Sequence, residues 1–125
     1  MRNRHVLYDI WVADPTPLER VEPLEELLVR AARAGGATIL HQYFHPFAPC
    51  GVTGFLLLAE SHLSVHTWPE EGFAAFDIFS CGDMDTEAIV DTVRQALRPA
   101  RERLQLIQRG LPGSGGADEG PACPV

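Results

Sequence analysis

The chain has 125 residues, 46% of them hydrophobic, and a formal net charge of -7 at pH 7. That length suits one domain with its own core, and the acidic balance argues against an electrostatic grip on nucleic acid or an anionic membrane. No apolar stretch has the length of a membrane span and the first residues lead into Asp9 and Asp14 rather than a signal-peptide core, while three cysteines without paired spacing (Cys50, Cys81, Cys123) argue against a disulfide framework and fit a reducing cytoplasm.

Residues 6–13 are β-branched, aromatic and apolar, the composition of a strand, and Pro15 and Pro17 break it. A helix is expected to start near Pro23, a good first-turn residue. Leu24, Leu27, Leu28 and Ala31 fall on one helical face. Glu25 and Glu26 near its start and Arg30 and Arg33 near its end suit the helix dipole, and Gly35-Gly36 ends it. Residues 37–44 form a second strand. Pro46, Pro49 and Gly51 make 45–51 a loop. Residues 52–59 are nearly all apolar, as in a central strand. In 62–67, Leu63, Val65 and Thr67 alternate with His62, Ser64 and His66. Residues 68–72 turn the chain, and 73–81 form a fifth strand. Asp85 is the expected N-cap of a second helix with Ile89, Val93, Ala96 and Leu97 inward. Pro99 ends it, and 104–108 make a last short strand.

The order is β-α-β-β then β-β-α-β. It predicts an α+β, two-layer sandwich, with one largely antiparallel sheet carrying both helices on one face. The other face is expected to pack on a second copy or another chain. Residues 110–125 are rich in Gly and Pro and are expected to be a disordered tail.

One run concentrates the chemistry: Glu60-Ser61-His62-Leu63-Ser64-Val65-His66-Thr67-Trp68-Pro69-Glu70. Each polar group there, held near a core by apolar flanks, needs a partner or a task. His62 and His66 have the i, i+4 spacing of a helical zinc pair, but they sit in a strand-like segment and a third ligand is missing. Ser61 and His66 have opposite parity, so a straight strand would point them to opposite faces. Bringing the two to one face would need a bend at or just after Ser61.

With its surroundings, this run resembles the small prokaryotic class of S-adenosylmethionine decarboxylases, the pyruvoyl enzymes of polyamine synthesis. Besides 59–70, the resemblance rests on Arg4-His5, Gly36-Ala37-Thr38, Phe44-His45-x-Phe47, Gly51-Val52-x-Gly54, Gly72-Phe73-Ala74-Ala75 and Cys81-Gly82. It covers residues 4–109, and so implies a decarboxylase-like domain over 1–109.

The resemblance implies that the Glu60–Ser61 bond cleaves itself. Ser61 Oγ would attack the Glu60 carbonyl and turn the amide into an ester. His66 would accept the proton during processing, a role an imidazole suits near neutral pH. Elimination and hydrolysis would then convert Ser61 into a pyruvoyl group, leaving a β chain of residues 1–60 and an α chain of 61–125. That group would form a Schiff base with the substrate and act as an electron sink, with no metal. The family further implies Cys81 as proton donor in decarboxylation, Phe47 against the adenosyl part of the substrate and Glu70 on its ribose. It also implies a homodimer of αβ units whose sites draw on both protomers.

Thr53 stands where the family usually has a serine that assists processing. It keeps the hydroxyl on a stiffer side chain. Ala48 and Cys50 replace bulkier loop residues, and Asp9 a common glutamate. The first reading is an autoprocessed S-adenosylmethionine decarboxylase that supplies aminopropyl groups for spermidine. An alternative keeps the pyruvoyl chemistry and takes arginine or ornithine. A third is an unprocessed regulatory relative, against which intact Ser61, His66 and Cys81 argue.

Overall fold

The computed structural model describes residues 3–110. Six strands form one sheet in the order β2-β3-β4-β5-β1-β6: β1 Asn3–Trp11, β2 Ile39–Pro46, β3 Val52–Leu58, β4 Ser61–Trp68, β5 Phe73–Cys81 and β6 Arg101–Arg109. All five pairings are antiparallel. Two helices, α1 Val21–Ala34 and α2 Thr86–Leu97, lie between β1 and β2 and between β5 and β6. The α+β two-layer sandwich expected from the element order is the observed architecture.

Period-two burial explains the layering. Val6, Tyr8 and Ile10 of β1, Leu63 and Val65 of β4, and Ala74, Phe76 and Ile78 of β5 share one core with Leu24, Leu27, Leu28 and Ala31 of α1 and Ile89, Val90 and Val93 of α2. The Asp85 carboxylate caps α2 by accepting from Ala88 N–H at 3.1 Å. Gly54 is opposite Phe44 in the β2–β3 ladder. A Cβ there would lie 2.1 Å from the Phe44 ring, so only glycine leaves room for that buried aromatic.

Several boundaries differ from expectation. α1 starts at Val21, two residues before Pro23. β3 is interior but second from an edge, and Phe55 and Leu57 are exposed on the uncovered face. β6 runs nine residues because it pairs with β1 along its whole length, although Arg101, Glu102 and Arg103 weaken its apolar signal. Charge on an edge strand also discourages unwanted pairing. The expected tail lies, from residue 111 onward, outside the described residues. No helix among the described residues is long and apolar enough to cross a membrane.

The second sheet face carries no helix. Cross-strand register places all five histidines of the chain on it: His5 and His62 flank Phe79, His41 follows beside Leu57, and His45 and His66 flank Thr53. Tyr43, Phe55, Leu57 and Trp68 are also exposed there.

Candidate active site

The sequence run of greatest interest begins at a hairpin tip. Leu58 pairs with Ser61, leaving Ala59-Glu60 as a two-residue turn between β3 and β4. Ser61 has φ 143°, a conformation that a residue with a Cβ seldom adopts. Holding such a residue costs on the order of 1–3 kcal/mol, sustained only by the surrounding structure. The β4 register nevertheless runs unbroken from Ser61 on both sides, so the strained φ stands at its first residue without turning Ser61 and His66 to one face.

That surrounding structure is visible. The Cys81 N–H donates to the Glu60 carbonyl at 2.8 Å. The Thr38 N–H donates to Glu60 Oε1 at 3.0 Å, and the Ala59 N–H donates to the Thr38 carbonyl at 2.9 Å. Ser80, 2% exposed, is directly opposite Ser61 in the β4–β5 ladder. Cys81 is itself buried and disulfide-bonded, while Cys50 is a free thiol. The odd cysteine count argued against a disulfide, but spacing along a chain does not report which thiols a fold brings together.

Next to this tip, on the uncovered face, His62 stacks on Phe55 at 5.6 Å and tilts toward Phe79 at 5.7 Å. Burial, and then the nearby His5, lowers the His62 pKa below its ordinary 6.5, with Asp77 opposing. His5 Nε2 is 3.5 Å from Asp77 Oδ1, a distance that leaves this buried nitrogen without a hydrogen bond. Sequence reasoning assigned no role to His62 and did not single out Asp77. Their juxtaposition depends on strand order, which alternation within one strand does not encode.

A second group assembles at the other end of β3 and β4. A cavity of about 320 Å³ is lined by Phe47, Cys50, Gly51, Thr53, His66, Thr67, Trp68 and Glu70. Thr53 Oγ1 and His66 Nδ1 are 3.0 Å apart, joined across the β3–β4 ladder. The floor is tied down by Thr67 Oγ1, which accepts from Val52 N–H at 2.9 Å and donates to the Leu18 carbonyl at 2.8 Å. Phe47 packs edge-on against His45 at 4.7 Å. Glu70 is carried on a short 3-10 helix, Pro69–Glu71, that ends at Gly72 in a left-handed conformation. A larger groove along α1 is lined by Glu22, Glu25, Arg30, Arg33 and Gln42 among others, and contains none of the expected site residues. No group of three or more metal-binding side chains occurs among the described residues.

The structure therefore sorts the expected residues into two sets. Glu60, Ser61 and Cys81 meet at the hairpin tip, whereas Phe47, Thr53, His66 and Glu70 meet around the cavity. Ser61 and His66 are five steps apart along β4, or about 17 Å at the rise of an extended strand. The positive φ of Ser61 does not bring the two together within one chain.

Comparison with known proteins places the chain in a family context. The family model described as S-adenosylmethionine decarboxylase matches residues 4–110. An S-adenosylmethionine decarboxylase proenzyme of Methanococcus maripaludis is 37% identical over 93% of this chain and 96% of its own length. One from Parasynechococcus marenigrum is 41% identical over 91% of this chain and 90% of its own. The crystal structure of the adenosylmethionine decarboxylase from Aquifex aeolicus superposes with a TM-score of 0.84 at 35% identity, covering 94% of this chain and 98% of that one. On sequence and on fold, this chain belongs to the S-adenosylmethionine decarboxylase family.

Proposed function

We propose that the chain is a self-processing decarboxylase that releases CO2 from S-adenosylmethionine, leaving the decarboxylated aminopropyl donor used for spermidine. The observation that carries this reading is the strained Ser61 directly after a carbonyl already held by the Cys81 N–H. Self-cleavage needs such a pair: a β-hydroxyl beside a polarised carbonyl in a backbone that gains by rearranging.

The chain's own groups then have defined tasks. Ser61 Oγ adds to the Glu60 carbonyl carbon, and the Cys81 N–H faces the oxygen on which negative charge develops. The C–N bond breaks as the ester forms, freeing the Ser61 amine. His66 takes a proton, with the Thr53 hydroxyl fixing its ring through Nδ1. Elimination expels the Glu60 carboxylate, and water replaces the nitrogen of the resulting dehydroalanine, which leaves as ammonia. A pyruvoyl group so formed at position 61 supplies a sink for the electrons left when CO2 departs. Cys81 in its reduced form delivers a proton to the substrate α-carbon. Phe47 offers its ring face to the adenine, and the Glu70 carboxylate accepts from the ribose hydroxyls.

The two sets of residues form one site when two copies pack through their uncovered sheet faces. A two-fold axis brings the Ser61 end of one sheet over the Thr53–His66 end of the other, and it does so twice. Such packing also buries the exposed Tyr43, Phe55, Leu57 and Trp68. The site is tested by CO2 release from S-adenosylmethionine, arginine and ornithine, assayed with and without a thiol reductant. Turnover is expected with S-adenosylmethionine and should rise under reduction. Faster release from either amino acid would reassign the substrate.

A further inference from the structure

The structure assigns a positioning role in self-cleavage to the Glu60 side chain, clamped by the backbone of Thr38. This inference rests on the reading of Glu60–Ser61 as the cleaved bond. Glu60 is gripped at two ends. Its carbonyl is held by the Cys81 N–H at 2.8 Å, and its carboxylate by the Thr38 N–H at 3.0 Å. The Thr38 carbonyl in turn accepts from the Ala59 N–H at 2.9 Å. Thr38 directly precedes β2 and Cys81 ends β5, so these contacts reach the tip from opposite flanks of the β3–β4 hairpin.

A two-residue turn alone leaves its peptide planes free to tilt. At this tip the tilt has a downhill direction, because the positive φ of Ser61 relaxes if the turn rotates. Tilting would draw the Glu60 carbonyl off the Cys81 N–H just as Ser61 Oγ attacks it. The Glu60–Thr38 contact opposes that rotation, since the side chain fixes the residue at the end remote from the carbonyl. Holding the reacting groups in register is worth rate rather than stability. The clamp also outlasts the reaction. Cleavage makes Glu60 a chain terminus with two carboxylates, and the two N–H donors remain in place for both.

The test separates acceptor position from charge. Freshly made full-length Glu60→Ala and Glu60→Gln chains are followed by intact mass for their rate of cleavage. Thermal midpoints of both substitutions are measured in a Ser61→Ala background, where the chain stays whole. Glu60→Ala is expected to cleave about tenfold more slowly, the scale set by one hydrogen bond to a charged group. Glu60→Gln keeps an oxygen acceptor for the Thr38 N–H and should cleave within about twofold of wild type. The midpoints should stay together. Glu60→Ala cleaving at the wild-type rate overturns the clamp, as does Glu60→Gln cleaving as slowly as Glu60→Ala. A slow Glu60→Ala whose midpoint also collapses shows a fold effect and overturns it too. A wild-type chain that never cleaves overturns the reading of Ser61, and the clamp with it.

Discussion

The separation along β4 makes a sharp prediction about which chain helps which. Ser61 and His66 are about 17 Å apart by strand rise, whereas a proton acceptor works within about 3 Å of its proton or through one water. A single chain cannot close that gap without unpairing β4 from both β3 and β5, to which it is laddered along its length. Neither Ser61→Ala nor His66→Ala should therefore self-cleave alone, but a mixture should. Random pairing of equal amounts gives about half mixed dimers. Each holds one intact site, with Ser61 from one copy and Thr53 and His66 from the other, and one site lacking both groups. About a quarter of all chains should then be cut, every one a His66→Ala chain. Co-expressing the variants with different tags and weighing the products would count them. A mixture without cut chains would refute the shared site, and so would cut Ser61→Ala chains. Cleavage of His66→Ala by itself would remove His66 from the account.

Two other expectations follow from packing and charge. Gly54→Ala drives a methyl into the Phe44 ring, at 2.1 Å before any adjustment. It should cost about 1–3 kcal/mol and appear as a lower Tm in thermal unfolding. His62 has its pKa lowered mainly by burial, so the unfolded chain binds that proton more readily. The stability associated with neutral His62 is fully present above pH 6.5 and is lost as pH falls through the lower folded value. Unfolding midpoints across that window should fall less steeply for His62→Asn than for wild type.

Much of this was legible in the residues. The β4 alternation of Leu63, Val65 and Thr67 against His62, Ser64 and His66 fixed which groups reach the core, and Asp85 announced the start of α2. Opposite parity at Ser61 and His66 called for a bend, whereas the ladder runs unbroken from a Ser61 of positive φ. The separation of the two was not legible, because parity reports the face of a sheet and not the distance along a strand. β6 exceeds the expected 104–108, since its residues are exposed on an edge and carry little apolar periodicity. The Thr38–Glu60 contact joins residues 22 apart and uses a backbone donor that no side-chain pattern marks. The disulfide at Cys81 was likewise invisible to spacing.

The proposed reaction turns residue 61 into a reactive carbonyl at the head of a new chain. Intact-mass analysis of purified, incubated protein tests this most directly. It should find two chains, residues 1–60 and residues 61–125, the second with a keto-acyl group in place of its terminal amine and able to react with a hydrazine. A single uncut chain of 125 residues after prolonged incubation would contradict it.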